Sequence, residues 1–425
     1  MIWAIGDIHG MFDSLKEMIN QIRIFETMDE PVEKIIFIGD YIDHGPSSKE
    51  VIDLIGRLEY PTTLLAGNHE DLALRLIHQD KKFLNTQGNI WHINGAMKTY
   101  RSIFDHRDSA AFLSELAERA ERWGTRGGAD AILNSYKRAK LPRKYENFLN
   151  NLKYSAHESF DIDGKEISFT FLHALPCDAA PVKEQRTESR EDFNGLLEKI
   201  LKKRMEKWLQ ERANPPSERD IGRAYCSILE YSHLWRRDYE SIYRGGTEEK
   251  PIVGYQGEVI VHGHTPTLYY SKYYHESRIR KFPTQFKIYA PDDYLPFVFS
   301  RTPESGYLGA FSPLGDRWGG ESDDSFGPYS GERECPRYLC GEKWGAEAIN
   351  IDTGAVYGGA LTALGLSVRY LRDGLTPVLT VKSGGNARES EDKIQARIVK
   401  IDHFGGPREI VYQTEKNIDP WEGFF

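Results

Sequence analysis

The chain has 425 residues, and 55 Lys and Arg against 64 Asp and Glu give it a formal net charge of −9. Hydrophobic residues make up 40% of the sequence, which is enough to bury a core and excludes wholesale disorder. No stretch approaches the roughly 18 consecutive apolar residues of a membrane span, and we expect no secretion signal. The acidic balance argues against a general nucleic-acid binder, because phosphate neutralisation needs clustered Lys and Arg.

Five short apolar runs each end in a cluster of polar residues. They are rich in Ile, Val and Leu and cover residues 2–5, 35–38, 62–66, 167–172 and 259–261. Runs of this length followed by glycine predict buried strands that end in sharp turns. Helical patterns over residues 14–24 and 48–58 separate the first three runs. This alternation predicts an α/β fold whose loops gather at the strand ends, so that their side chains converge at one edge of a sheet.

The remaining stretches are less regular. Residues 71–122 and 178–232 read mainly as helices, residues 267–345 as an irregular insertion rich in Tyr, Pro, Gly and Ser, and the residues that follow as β-rich. We predict a main domain over residues 1–365, interrupted by these three insertions. A β-rich C-terminal extension over residues 366–425 is expected to pack on it.

The polar clusters after the strands share one kind of chemistry. They contain six oxygen and imidazole donors: Asp7, His9, Asp40, Asn68, His173 and His264. Such a mixture suits divalent metals such as Mn, Fe or Zn. Six donors exceed what one metal usually takes from a protein, so we predict two metals that share a carboxylate. A pair of this kind polarises a phosphoryl oxygen and makes hydroxide from water, which favours phosphoester hydrolysis without a covalent Ser or Cys intermediate.

The motifs around these donors resemble those of a known family. Gly6-Asp7-Ile8-His9-Gly10, Gly39-Asp40-Tyr41-Ile42-Asp43-His44-Gly45 and Gly67-Asn68-His69-Glu70 are similar to the three signatures of the phosphoprotein phosphatases, within the calcineurin-like metallophosphoesterase superfamily. Phe171-Leu172-His173-Ala174 and Gly263-His264-Thr265-Pro266 follow in the family's order. The bacterial and phage branch, with lambda phosphatase and symmetrical diadenosine tetraphosphatases, is the branch that the chain resembles. The resemblance covers most of residues 1–365 and implies a four-layer α/β/β/α sandwich.

The resemblance also implies roles for individual residues. It assigns Asp7 and His9 to the first metal, Asp40 to a bridging position, and Asn68, His173 and His264 to the second metal. His69 corresponds to the general acid for the leaving oxygen, and Asp43 orients it. Asn68 also belongs to the substrate-binding set. His262 lies before the glycine of its motif, so we interpret it as a residue behind the ligands or as a structural one.

Three positions concern the substrate phosphate. His44 stands where the family has an arginine that grips the phosphate, and histidine lacks its permanent charge and rigid fork. A second phosphate-gripping arginine corresponds to Arg237, with Arg236 as its neighbour. Arg126 replaces an asparagine of the branch, and either adds charge near the substrate or lies on a solvated loop. The metal chemistry is therefore expected to be intact, whereas the substrate preference is left open.

The sequence thus predicts a metal-dependent phosphatase of phosphomonoesters, with manganese as the first choice of metal. Its expected substrate is a phosphorylated protein carrying phosphoserine or phosphothreonine, or else a small phosphoester. Hydrolysis of a nucleotide such as diadenosine tetraphosphate is the alternative, and aromatic stacking by residues 267–345 would be its signature. A non-catalytic binding protein on a phosphatase scaffold is a further alternative, which the complete ligand set disfavours. Nuclease action is disfavoured by the acidic charge and by the missing second histidine after Gly263. No nucleic-acid or membrane partner is expected.

The cysteines bear on the cellular compartment. Four are too few for a disulfide scaffold in a chain of this length. Cys335 and Cys340 have the spacing of some zinc sites, but no second Cys or His pair lies near them in the sequence. We therefore predict a reduced cytoplasmic protein.

Overall fold

The computed structural model describes part of the chain. The described residues are 1–78, 91, 94–103, 141–176, 182–211, 215–230, 232–236, 246–247, 250–251, 258–265, 297–301, 308–311, 348–357, 359–372, 377–382, 398–400 and 408–410. Arg126, Arg237, Cys335 and Cys340 lie outside these residues, as does most of the predicted insertion 267–345. The interpretations given to them stay predictions.

The first sheet contains seven strands among the described residues. They are Ile2–Ile5 (β1), Lys34–Phe37 (β2), Thr62–Leu64 (β3), Ala360–Leu366 (β12), Pro377–Lys382 (β13), Ile398–Lys400 (β14) and Arg408–Ile410 (β15). Their order in the sheet is β15-β14-β13-β12-β1-β2-β3. The three N-terminal strands run parallel to one another, and β12 pairs with β1 in the antiparallel sense. The carboxyl ends of β1, β2 and β3 therefore meet at one edge of this sheet.

The second sheet contains six strands within the described ranges. They are Ala156–Ile162 (β4), Lys165–Phe171 (β5), Glu258–His262 (β8), Phe297–Arg301 (β9), Leu308–Phe311 (β10) and Ala348–Asn350 (β11), in the order β10-β9-β11-β8-β5-β4. Strands β5, β8 and β11 are mutually parallel, so their carboxyl ends also share an edge. Gly246–Thr247 (β6) and Lys250–Pro251 (β7) form a separate two-stranded ribbon.

Eight described helices accompany the sheets. They are Phe12–Met28 (α1), Ser48–Ile55 (α2), Asn68–Ile77 (α3), Ala96–Ile103 (α4), Arg143–Asn150 (α5), Arg190–Glu211 (α6), Glu218–Glu230 (α7) and Val368–Arg372 (α8). Helix α1 packs on β12 and β13, α2 contacts α1 and α4, and α6 packs against α7. None of the helices in the described ranges is long and apolar enough to cross a membrane.

The core explains why β1 is apolar along its whole length. Successive side chains of a strand point to opposite faces of the sheet. Ile2 and Ala4 pack between the two sheets with Phe169 of β5, whereas Trp3 and Ile5 belong to the cluster formed with the helices. Both faces of the first sheet are thus buried at β1. The predicted α/β fold class is confirmed as a mixed fold of two packed sheets with helices.

The predicted boundary at residue 365 falls at the end of β12. The strands after it, β13 to β15, extend the same sheet that contains β1. Helix α4 lies within the predicted insertion 71–122, and α6 and α7 lie within 178–232. The division into a main domain and an extension stays a prediction.

A buried polar network holds α3 against the helices of the second insertion. Arg75 Nε donates to Asp71 Oδ2 at 2.6 Å within α3. Its two terminal nitrogens donate to Tyr225 OH of α7 at 2.7 Å and to Asn194 Oδ1 of α6 at 3.2 Å. Tyr154 OH donates to the other Asp71 oxygen at 3.1 Å. The buried charges of Arg75 and Asp71 would be strongly destabilising without these partners. Helix α3 is therefore held in the position that keeps these contacts.

Candidate metal centre and active site

The six predicted metal donors come together at the edge where strands of both sheets end. Asp7 follows β1, Asp40 follows β2, Asn68 begins α3 after β3, His173 follows β5, and His264 follows β8. All six side chains, including His9, are buried. Residues that are up to 257 positions apart in the chain are in direct contact here, as the His264–Asp7 hydrogen bond illustrates.

The backbone at this edge is strained. Six non-glycine residues of the described ranges have a positive φ, and five of them lie here: His9 (47°), Asp40 (52°), Asp43 (68°), His44 (56°) and His264 (71°). The left-handed region is unfavourable for any residue with a Cβ atom, although Asn, Asp and His adopt it more readily than the others. Strain of this kind persists where the surrounding structure fixes the turn, and it concentrates at functional sites.

Asp40 lies at the centre of the cluster. Its Oδ2 atom is 3.2 Å from His9 Nε2, 3.4 Å from His173 Nε2 and 4.0 Å from His69 Nε2. Its Oδ1 atom accepts a hydrogen bond from the His69 backbone N–H at 3.2 Å. A Cβ atom at position 67 would lie 2.0 Å from this Oδ1, so only glycine fits there. The opposing histidines outweigh the effect of burial and hold the pKa of Asp40 well below its usual range.

Two donor groups share Asp40. One consists of Asp7, His9 and Asp40, and the other of Asp40, His173 and His264. Within each group, one ligand atom per residue lies within 4.8 Å of the others. The structure thus brings together two adjoining sets of donors with a common carboxylate.

Backbone carbonyls orient two of the imidazoles. His9 Nδ1 lies 3.0 Å from the carbonyl oxygen of Ile42, and His173 Nδ1 lies 2.9 Å from that of Ile38. When Nδ1–H donates to these carbonyls, the lone pair of Nε2 faces the carboxylate of Asp40. Supporting hydrogen bonds of this type fix the tautomer of metal-binding histidines.

His264 has the opposite orientation. Its Nε2 lies 3.2 Å from the Trp235 carbonyl oxygen, and its Nδ1 lies 2.9 Å from Asn68 Oδ1. His173 Nε2 is also 2.9 Å from this amide oxygen. Asn68 Oδ1 therefore lies next to one ring nitrogen of each of these two histidines. The Nδ2 atom of Asn68 is buried and has no hydrogen-bond partner among the described residues.

The chemistry of the donors fits divalent cations. Asp7 Oδ1 is buried without a hydrogen-bond partner in the described part of the chain, while Oδ2 accepts the His264 backbone N–H at 2.9 Å. Burial and the nearby carboxylates of Asp352 and Asp40 raise the pKa of Asp7 well above its usual range. Crowded carboxylates of this kind require compensating positive charge, which a bound cation supplies.

A histidine–aspartate pair adjoins the donors. His69 Nδ1 lies 2.7 Å from Asp43 Oδ2, as the predicted orienting role requires. Trp91 Nε1 donates to the same oxygen at 2.6 Å. Thr99 Oγ1 donates to Asp43 Oδ1 at 2.5 Å and accepts the Asp43 backbone N–H at 2.8 Å. The first predicted insertion therefore supplies two residues that hold the pair, and no sequence pattern pointed to either.

Comparison with known proteins identifies the family. Residues 1–289 of the 425 match the calcineurin-like phosphoesterases. The chain belongs to this family. It is a metallophosphoesterase, as the motifs predicted, and the two Asp40-sharing groups are its candidate metal ligands.

Three relatives illustrate its place in the family. Serine/threonine-protein phosphatase 2 of Escherichia coli (strain K12) is 35% identical over 204 residues, which are 47% of this chain and 74% of the relative. Serine/threonine-protein phosphatase 1 of Salmonella typhimurium is 31% identical over 118 residues, 28% of this chain and 49% of the relative. The symmetrical bis(5'-nucleosyl)-tetraphosphatase of Nitrosospira multiformis is 33% identical over 76 residues, 18% of this chain and 26% of the relative.

Glu70 of this phosphoesterase holds two loops of the site together. Its Oε2 accepts the backbone N–H groups of Asp40 and Gly67, both at 2.9 Å, and its Oε1 accepts those of Tyr41 at 2.8 Å and Ile42 at 3.1 Å. Burial, followed by the charge of Asp40, raises the pKa of Glu70 to about 7. The sequence motif included Glu70, but its role follows only from these contacts.

Asp352 is a further carboxylate that the sequence interpretation missed. It is buried just after β11 and accepts the Gly354 backbone N–H at 3.0 Å. Burial raises its pKa to about 6, and its charge contributes to the raised pKa of Asp7. An acidic residue after a short apolar strand was the signal that could have identified it.

Three further residues that the sequence singled out, His44, Arg236 and His262, are buried to different extents and make different contacts. Burial, followed by the neighbouring imidazoles of His9 and His69, lowers the pKa of His44 to about 3, so its ring is neutral at neutral pH. Arg236 is buried and donates to the Pro176 carbonyl, which ties two loops together. His262 is buried with Nδ1 3.1 Å from the Gly263 carbonyl, and among the described residues it belongs to no candidate ligand group.

Proposed function

We propose that this metallophosphoesterase hydrolyses phosphomonoesters, with phosphoserine or phosphothreonine in proteins as its substrate class. The observation that carries the proposal is the pair of donor groups around Asp40, flanked by the His69–Asp43 pair. Two of the relatives described above bear the name serine/threonine-protein phosphatase. These names favour phosphoserine and phosphothreonine esters among the phosphoesters that the family hydrolyses. A reduced cytoplasmic setting remains a prediction from the cysteine content.

Two divalent cations are proposed to occupy the donor groups. Asp7, His9 and Asp40 would hold the first, and Asp40, Asn68, His173 and His264 the second. When bound, such cations polarise phosphoryl oxygens and lower the pKa of water. Manganese is our first choice because mixed oxygen and imidazole donors suit it, and iron and zinc are the alternatives.

His69 is proposed to donate a proton to the leaving oxygen. Its Nδ1 is engaged by Asp43, so the proton to be transferred is carried by Nε2. This nitrogen is 4.0 Å from Asp40 Oδ2 and therefore lies at the border of the metal donors. A proton delivered from this position would neutralise the alkoxide of a serine or threonine side chain as the ester bond breaks.

Phosphate binding is proposed to involve Asn68, His44 and Arg237. The Asn68 amide nitrogen is a buried donor whose partner would be a phosphate oxygen. A neutral His44 contributes a hydrogen bond but no charge. Arg237, which the resemblance assigns to the substrate phosphate, would then supply the positive charge that His44 lacks.

A substrate comparison tests the proposal. Purified protein supplemented with Mn²⁺ is given a phosphoserine peptide, a phosphotyrosine peptide, a nucleoside monophosphate and diadenosine tetraphosphate, with phosphate and nucleotide products measured separately. We expect the highest kcat/KM on the phosphoserine peptide. Preference for diadenosine tetraphosphate would instead support the alternative that the name of the third relative suggests. The phosphoserine proposal would then be wrong.

The bridging role of Asp40 predicts the effect of Asp40→Asn. Asparagine tolerates the positive φ at this position, so the backbone is expected to persist. Loss of the shared negative charge should weaken Mn²⁺ binding at both positions by about tenfold or more. Metal analysis after dialysis and calorimetric titration measure this, with exposed Asp13→Asn as the control. Full occupancy of both positions in Asp40→Asn would contradict a bridge.

A further inference from the structure

Three imidazole rings meet beside the proposed metal pair. The ring centroids of His9, His44 and His69 are 4.8 to 4.9 Å apart in every pairing. One nitrogen of each ring lies within 4.8 Å of the corresponding nitrogens of the other two. This group is distinct in composition from the two Asp40-sharing groups, because it contains no carboxylate.

Two of the rings are held through the same nitrogen, Nδ1. His9 Nδ1 faces the Ile42 carbonyl, and His69 Nδ1 faces Asp43. The Nε2 atoms of both rings are therefore the candidate ligand atoms, and they lie 3.2 Å (His9) and 4.0 Å (His69) from Asp40 Oδ2. His44, which is partly buried, contributes the third nitrogen of the group. Nitrogens around a tetrahedral ion with bonds of 2.0–2.1 Å are about 3.3 Å apart, so nitrogens that lie within 4.8 Å of one another must approach by up to about 1.5 Å to share an ion.

We propose that His9, His44 and His69 form a further cation site, which takes Zn²⁺ in preference to Mn²⁺. Imidazole nitrogens suit zinc, whereas manganese favours sites rich in oxygen. Three histidines also leave a fourth zinc position open to water or a substrate oxygen. The site depends on His44, the residue that stands where the family pattern has arginine, since an arginine there would supply no ligand.

Binding at this site would inhibit hydrolysis, a consequence that rests on the proposed function. His9 belongs to both the three-histidine group and the Asp7-containing group, so a zinc ion here competes with the first proposed metal. The same ion occupies Nε2 of His69, the atom assigned to proton transfer. One zinc ion would therefore remove a metal ligand and the general acid together.

The test compares wild type with His44→Asn. Asparagine is suited to the positive φ of position 44, so this variant removes the imidazole with little strain on the turn. Zinc affinity is measured by competition with a chromophoric chelator at a fixed excess of Mn²⁺. Zinc K-edge spectra count the imidazole ligands. His78→Asn, an exposed histidine at the C-terminal end of α3, is the matched control.

We expect the dissociation constant for zinc to rise about tenfold or more in His44→Asn and to be unchanged in His78→Asn. The wild-type spectrum should show three imidazole nitrogens on zinc. Equal zinc affinity in wild type and His44→Asn would overturn the site, whatever the activity. His44-dependent binding in a protein that hydrolyses no phosphoester would retain the site and reject only the proposed function.

Discussion

Replacing His69 with asparagine is expected to lower kcat on a phosphoserine peptide by about 10²–10⁴-fold while both metals stay bound. The variant loses the proton donor that Asp43 holds at 2.7 Å. It keeps the backbone N–H that donates to Asp40 Oδ1 at 3.2 Å, so the carboxylate at the centre of the site stays in position. The loss should thus fall on the chemical step and not on metal binding.

The effect of His69→Asn should depend on the leaving group of the substrate. An aryl phosphate such as p-nitrophenyl phosphate has a leaving group that needs little protonation, so His69→Asn should be much less impaired on it. Steady-state kinetics on both substrates, with metal analysis of the same samples, measure the difference. His78→Asn, at the other end of the helix, should behave like wild type. Equal turnover of the phosphoserine peptide by His69→Asn and wild type would refute the general-acid role.

Replacing Glu70 with glutamine is expected to lower the free energy of unfolding by about 2–5 kcal/mol and to weaken metal binding. Each carboxylate oxygen of Glu70 accepts two backbone N–H groups in a fully buried setting. Glutamine replaces one oxygen with an NH₂ group, which turns a donor toward two other donors. Each buried donor left without a partner costs about 1–3 kcal/mol.

The consequence for the metals follows from which donors are released. The N–H groups belong to Asp40, to the two residues after it, and to Gly67 beside Asn68. Both the shared carboxylate and a ligand of the second proposed metal should lose their fixed position. Urea denaturation and Mn²⁺ titration test this, with exposed Glu50→Gln as the control. Wild-type stability together with wild-type Mn²⁺ affinity in Glu70→Gln would show that the four hydrogen bonds to Glu70 are not needed for either property.

The strands and the polar residues that follow them could be predicted from the sequence because both signals are local. An apolar run such as residues 2–5 is buried on both faces, and it ends where glycine and ligand residues begin. The register of the parallel strands then brings Asp7 and Asp40 to one edge without any further information. Periodicity and turn residues thus determined the fold class and the set of six donors.

Only the tertiary structure revealed what holds these residues in place. Trp91 and Thr99 reach Asp43 from an insertion whose sequence showed no more than a helical pattern. Contacts of this kind depend on how helices pack, and packing leaves no fixed spacing in the chain.

The surroundings of His44 also depended on the three-dimensional fold. The sequence identified His44 as a departure from arginine, but the folded chain decided that its ring meets those of His9 and His69. Residues 9 and 69 approach residue 44 because three parallel strands end at one edge, where strained turns point their side chains inward. Local sequence therefore determined which candidate donors exist, and long-range packing determined which of them lie together.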